Sequence, residues 1–222
     1  MDFTYLTSIL HIQEVGVDVA AINEKNAKKV REILNEKGIT SFDISGSIGS
    51  GKTLLIEKII GEFSKKKIAV IVGDVDATYD SERIRSHNVP VASVNTGKDC
   101  HLDAHRIEHA LEKFDLDAVD VLLVENVGNL ICPTDFNLGC DHRIVVISVT
   151  EGDDTVKKQP AIFAGADLSM VNKIDLDTES VADSLKADAI NAGSKKAFSV
   201  SLKKNENLDE VFNFIRERIE IE

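Results

Sequence analysis

Gly46-Ser47-Ile48-Gly49-Ser50-Gly51-Lys52-Thr53 stands between an apolar run, SFDIS, and a segment of helical period, KTLLIEKIIGEF. G-x-x-x-x-G-K-[ST] between a strand and a helix is a phosphate loop. Its glycines let successive backbone N–H groups turn inward on a β-phosphate, and the helix N-terminus adds partial positive charge. Lys52 is expected to bridge β- and γ-phosphate oxygens, and Thr53 to place its hydroxyl on magnesium. A glycine-rich turn with a chance lysine would not produce the whole pattern in this setting.

Asn172-Lys173-Ile174-Asp175 closes another apolar run, DLSMVNK, and Ser201-Leu202-Lys203 follows the next one. A carboxylate such as Asp175 can accept from both N1–H and the exocyclic amine of guanine. Adenine cannot make that pair, because its N1 is an acceptor. A backbone N–H in the Ser201 segment could meet the guanine O6. Phosphate loop, N-K-x-D and S-x-K in that order resemble the P-loop GTPases, so GTP is expected over ATP and an ATP-dependent kinase is disfavoured.

Two further run ends carry acids. VIVGDVDATYD contributes Asp74, Asp76 and Asp80; VLLVENVGN contributes Glu125 and Gly128. Carboxylates there can hold magnesium or orient the water that attacks a γ-phosphate in line. Asp74 and Asp80 are expected in a first switch segment, while Glu125 with Gly128 replaces the common D-x-x-G of a second. Asp76 reads better as a helix cap, and Asp80 before SERIRSH could also be one. No Arg or Gln stands beside ENVGN to stabilise the transferring phosphoryl group, so turnover is expected to be slow.

Cys100-His101 and Cys132-Pro133 lie in the loops after two neighbouring runs. Two thiolates and an imidazole suit zinc or nickel, and three protein ligands leave a shell that a second chain or water can close. His105 and His109 follow His101 at helical spacing and are secondary candidates. A lone cysteine is more often a small buried hydrophobe, the reading given to Cys140.

These residues need a frame. The 222 residues include 38 Asp and Glu against 26 Lys and Arg, a formal charge of −12, which disfavours a nucleic-acid binder. Apolar residues make up 43%, enough for a core, with no run long enough to span a bilayer. Three cysteines do not suggest a disulfide framework, and no leader pattern opens the chain, so a cytoplasmic protein is expected. From Thr40 onward, TSFDIS, KIAVIVGD, VPVASVN, VDVLLVEN, RIVVISVT, DLSMVNK and KAFSVS alternate with helical segments. That alternation predicts an α/β fold of the P-loop NTPase kind, a mostly parallel sheet with helices on both faces. Its middle is expected at VIVG, VLLVEN, VVISV and SMVNK, the most continuously apolar runs. Val19 to Lys37 reads as an amphipathic helix ending at Gly38. The expected organisation is an N-terminal helical arm over 1–38 and a GTPase domain over 39–222. Lys25, Lys28, Lys29 and Arg31 of the arm fit a solvated face.

GSIGSGKT, NTGKDCHLDAH, ENVGNLICP, VTEGDD and NKIDL together resemble the hydrogenase nickel-incorporation GTPases, the HypB family, from about Phe42 to Val211. The resemblance implies a metal site at Cys100, His101 and Cys132, and a homodimer promoted by GTP with that site shared at its interface. It also implies nickel delivery to the large subunit of [NiFe]-hydrogenase alongside a zinc-containing partner chaperone. Neither the C-x-x-C-G-C motif nor the histidine-rich tract of some members precedes the arm, so only the GTPase-domain site is expected. The urease accessory GTPases are a near alternative, but their Cys-Pro-His triplet has no match here, where Thr134 follows Cys132-Pro133. From another class, a regulatory switch with a structural zinc would also fit the motifs.

Overall fold

The computed structural model describes residues 3–74, 78–97, 99–178 and 180–220, with side chains described from Val19 onward except at Thr78. Asp76 lies outside the described residues. All seven apolar runs are strands: β1 (Thr40–Gly46), β2 (Ile68–Asp74), β3 (Val91–Asn95), β4 (Val121–Glu125), β5 (His142–Ser148), β6 (Leu168–Asn172) and β7 (Ala197–Ser199). They pair in parallel throughout, in the order β3-β2-β4-β1-β5-β6-β7. The helices are α1 (Phe3–Glu36), α2 (Lys52–Glu62), α3 (Thr78–Arg85), α4 (Ala104–Leu111), the short α5 (Thr155–Lys158) and α6 (Ala161–Ala164), then α7 (Val181–Asn191) and α8 (Leu208–Glu220).

β1, absent from the runs expected to form the middle, is the central strand, buried at every position. Its sequence hides this because Ser41, Asp43 and Ser45 alternate with Phe42 and Ile44. Phe42 and Ile44 enter the core beneath α2 and α8 with Val70, Leu123 and Val146. The polar side chains face the other way and are paired: Ser41 Oγ donates to Asp141 Oδ2 at 2.6 Å, and Arg143 Nε donates to Asp43 Oδ2 at 2.9 Å. Pairing offsets the cost of burying them, which would otherwise be about 1–3 kcal/mol per group.

The opposite face carries two cores. α1 and α4 cover Ala69, Ile71, Leu122 and Val124, while α7 covers Val145, Ile147 and Val171. Asn23, Ala27, Val30 and Leu34 of α1 are buried at helical spacing, so part of the segment expected as an arm belongs to the core of the sheet domain. Lys25, Lys28, Lys29 and Arg31 face outward. Arg31 reaches over to donate to the Cys140 carbonyl at 3.1 Å. Asn23 stitches three elements together, donating to the Asn137 carbonyl at 2.9 Å and accepting from the Ala104 N–H at 2.9 Å. Among the described residues, no helix is long and apolar enough to cross a membrane.

Candidate nucleotide and metal site

The strand order reverses at β1, whose neighbours β4 and β5 lead off to opposite sides, and the crevice at such a point is where open parallel sheets bind ligands. The phosphate loop leaves β1 there. Gly46 and Gly51 are required by space: a Cβ on Gly46 would lie 2.1 Å from the Val146 carbonyl oxygen, and one on Gly51 2.4 Å from Asn172 Nδ2. Gly51 also holds φ +115, and Gly49 φ +72, a region that L side chains rarely adopt. Ser50 is buried and Ile48 stands almost fully exposed on the loop. The Lys52 ammonium lies over the loop, donating to the Ser47 carbonyl at 2.9 Å and the Gly46 carbonyl at 3.3 Å. Burial lowers its pKa, opposed by Glu125, Asp80 and Asp74.

Thr53 Oγ1 donates to Glu125 Oε1 at 2.7 Å. Burial pushes the Glu125 carboxyl up to about 7, against the Thr53 hydroxyl and Lys52, which pull it down. Glu125 Oε2 is buried without a hydrogen-bond partner. A hydroxyl and a half-satisfied carboxylate side by side are a donor set that fits a magnesium ion. Both residues line a cavity of about 360 Å³ with Lys52, Asp74, Asp80, Asn126 and Gly128. Asp80 lies in the first turn of α3 rather than at its cap, 3.8 Å from Arg83. Gly128 abuts the phosphate loop, where a Cβ would meet Ile48 Cγ1 at 2.6 Å. Arg83, which the sequence reading passed over, lines the same cavity and is held by Glu57 at 2.7 Å.

On the far side of the loop, Asn172 Nδ2 donates to the Ser50 carbonyl at 2.7 Å, and Asn172 Oδ1 accepts from the Leu202 N–H at 3.1 Å. Ser201 Oγ donates to Asp175 Oδ1 at 2.6 Å. N-K-x-D, S-x-K and the phosphate loop are thus one bonded assembly, with Lys173 in the left-handed conformation at φ 65 and Lys203 exposed.

Cys100, His101 and Cys132 come together, each with a ligand atom within 4.8 Å of the others. His101 Nδ1 is buried without a partner, and burial lowers the imidazole's pKa. The neighbouring Cys100 holds the Cys132 thiol up. Two sulfurs and an unengaged imidazole nitrogen fit zinc or nickel. His105 stands outside this group. α4 begins only at Ala104, N-capped by Asp103, whose carboxylate accepts from the Arg106 N–H at 2.9 Å. His101 therefore precedes the helix and stacks on Phe136 (centroids 3.7 Å apart), whereas His105 pairs edge-to-face with His109 at 4.5 Å. Cys140 is buried, its thiol pushed well up by burial.

Asn126 and Asn129, also passed over in the sequence, join the two halves. Asn126 Oδ1 accepts from the Leu102 N–H at 3.2 Å. The Asn129 N–H donates to the Gly46 carbonyl at 3.0 Å while its side chain donates to the Cys100 carbonyl at 3.4 Å.

The parallel sheet and its loop define a P-loop nucleotide-binding protein with a cysteine–histidine cluster beside the phosphate site. Residues 40–199 match the family model CobW/HypB/UreG, nucleotide-binding domain. The chain is 49% identical over 216 residues, 95% of its length and 97% of the relative's, to the probable hydrogenase maturation factor HypB of Methanocaldococcus jannaschii. It is 43% identical to HypB of Escherichia coli over 73% of its own length but only 57% of that longer protein. Among solved structures, HypB of Archaeoglobus fulgidus superposes with TM-score 0.83 at 46% identity, covering 90% of this chain and 99% of that one. HypB of Helicobacter pylori in complex with nickel superposes with TM-score 0.82 at 34% identity, covering 89% and 94%. The chain belongs to the CobW/HypB/UreG family and, within it, to the HypB hydrogenase maturation factors.

Proposed function

We propose that this protein is a GTPase that carries nickel as cargo for [NiFe]-hydrogenase maturation, with Cys100, His101 and Cys132 as the cargo ligands and GTP as the signal. One observation carries this reading: Cys132 hangs from β4, whose end lines the phosphate cavity at Glu125, and the Cys100-His101 loop after β3 is tied to that same segment, the Leu102 N–H donating to Asn126 and the Cys100 carbonyl accepting from Asn129. A γ-phosphate that ordered the end of β4 would act on the Cys132 loop directly and on the Cys100-His101 loop through those bonds. The soft donor set and the nickel-bound relative support nickel, and the same donors would take zinc.

In this reading Asp175 selects guanine and Lys52 bridges the β- and γ-phosphates. Thr53 and Glu125 would hold magnesium, which neutralises phosphate charge when bound. Water attacks the γ-phosphorus as the bond to the β–γ bridging oxygen breaks, and its proton passes to a γ-phosphate oxygen. A second copy of the chain would complete the metal shell in a GTP-promoted homodimer. A zinc-containing partner chaperone and the hydrogenase large subunit would stand upstream and downstream, in the cytoplasm, where thiols stay reduced.

The test is phosphate release by purified protein supplied with GTP or ATP. Slow release from GTP, little from ATP, and none from GTP after Glu125→Gln is expected. Equal hydrolysis of both nucleotides, or full activity in Glu125→Gln, would overturn the assignment.

A further inference from the structure

Glu125 touches the phosphate loop, and the next residue touches the metal loop. Asn126 is buried, and both ends of its amide are used: Oδ1 accepts from the N–H groups of Leu102 at 3.2 Å and Val127 at 2.9 Å. Nδ2 donates to Asp43 Oδ1 at 3.2 Å and Ser45 Oγ at 3.4 Å. Its own N–H donates to the Ile44 carbonyl at 3.0 Å, anchoring it to the central strand. An amide engaged at every position has no alternative orientation of equal energy, so it cannot absorb a displacement by rotating.

Beyond Asp43 the connection continues. Asp43 Oδ2 accepts from Arg143 Nε at 2.9 Å, and Arg143 Nη2 donates to the Phe136 carbonyl at 3.5 Å. The Phe136 ring lies on the His101 ring, tilted only 23° from parallel. His101-Leu102 is therefore gripped from two sides, the backbone by Asn126 and the imidazole by Phe136. Both grips trace back to Asp43, in the strand that leads into the phosphate loop.

We propose that Asn126 is a positioning residue that transmits the nucleotide state from Glu125 to the His101-Leu102 segment, with Asp43, Arg143 and Phe136 as its frame. This rests on the metal-binding reading above. A shift of Glu125 on meeting a γ-phosphate and its cation moves Asn126 through the shared peptide bond, and the Leu102 N–H follows. His101, pinned on Phe136, then changes its angle to Cys100 and Cys132. Phe136 is half-buried and outside the phosphate cavity, so its part is limited to fixing the imidazole.

The cysteine-to-nickel charge-transfer absorption of nickel-titrated protein, recorded with GDP and with a non-hydrolysable GTP analogue, reads this geometry directly. The wild type is expected to show different bands in the two states, and Asn126→Ser to lose that difference. Phe136→Leu is expected to shift the band in both states. A folded Asn126→Ser that kept the wild-type difference would overturn Asn126's part while leaving the cargo reading intact. Identical wild-type bands in both states would instead remove the coupling itself. Should Asn126→Ser fail to fold, Phe136→Leu decides: bands identical to wild type would overturn the proposed grip on His101.

Discussion

Thr53 Oγ1 donates to Glu125 Oε1 across 2.7 Å, joining the helix that follows the phosphate loop to the end of β4. Because burial outweighs that bond, the Glu125 carboxyl rises from an ordinary 4.5 to about 7. The folded chain thus binds a proton there that the unfolded chain releases, and stability falls as pH rises from about 4.5 to about 7. The contribution is on the order of 3 kcal/mol. Glu125→Gln removes it, so urea midpoints of the nucleotide-free variant should change less between pH 5 and pH 8 than those of the wild type. Parallel pH profiles would assign the slope to other groups.

Gly51 packs on Asn172, which bonds both the phosphate loop and Leu202. In Gly51→Ala the new methyl carbon displaces Nδ2, and the left-handed backbone adds roughly 1–2 kcal/mol of strain. With a stranded amide costing about 1–3 kcal/mol more, thermal unfolding should shift down by several degrees and GTP affinity fall at least tenfold. Unchanged affinity would show that Asn172 does not tie the base and phosphate halves together.

Asp175 holds a hydrogen bond from Ser201 and presents its carboxylate beside the S-x-K segment. Asp175→Asn turns an acceptor into a donor, which suits the C2 carbonyl of xanthine and opposes the amine of guanine. A competition assay should show preference moving from GTP to xanthosine triphosphate. A retained GTP preference would place base selection elsewhere.

Cys132 meets Cys100 and His101 but lines none of the phosphate cavity. Cys132→Ala should remove most nickel and zinc binding while GTP affinity stays within about threefold, less than 1 kcal/mol. His105→Ala, outside the cluster, should cost far less metal affinity. Parallel loss of metal and GTP in Cys132→Ala would make the cysteine a structural element.

What could be read from the chain was what is local. The phosphate loop, N-K-x-D and every strand are contiguous strings whose chemistry or period is visible one segment at a time. Cys100, His101 and Cys132 were legible through their resemblance to a known family, spacing alone leaving the thiols ambiguous. The remainder depends on tertiary partners. β1 does not look like a central strand, because the residues that satisfy Ser41 and Asp43, Asp141 and Arg143, lie 100 positions away. Asn126 looks like one polar residue of ENVGN until Asp43 and Leu102 close around it. His101 seems to share a helix face with His105 only if the Asp103 cap is overlooked.

The most direct test is nickel and zinc binding to metal-free protein, with GDP and then with a non-hydrolysable GTP analogue, reading affinity and stoichiometry per chain. A nucleotide-dependent change in either is predicted, because Cys132 follows the end of β4, which lines the phosphate cavity, and Asn126 and Asn129 of that segment bond the loop carrying Cys100-His101. Metal held equally tightly in both states would contradict the account and reduce the ion to a structural part.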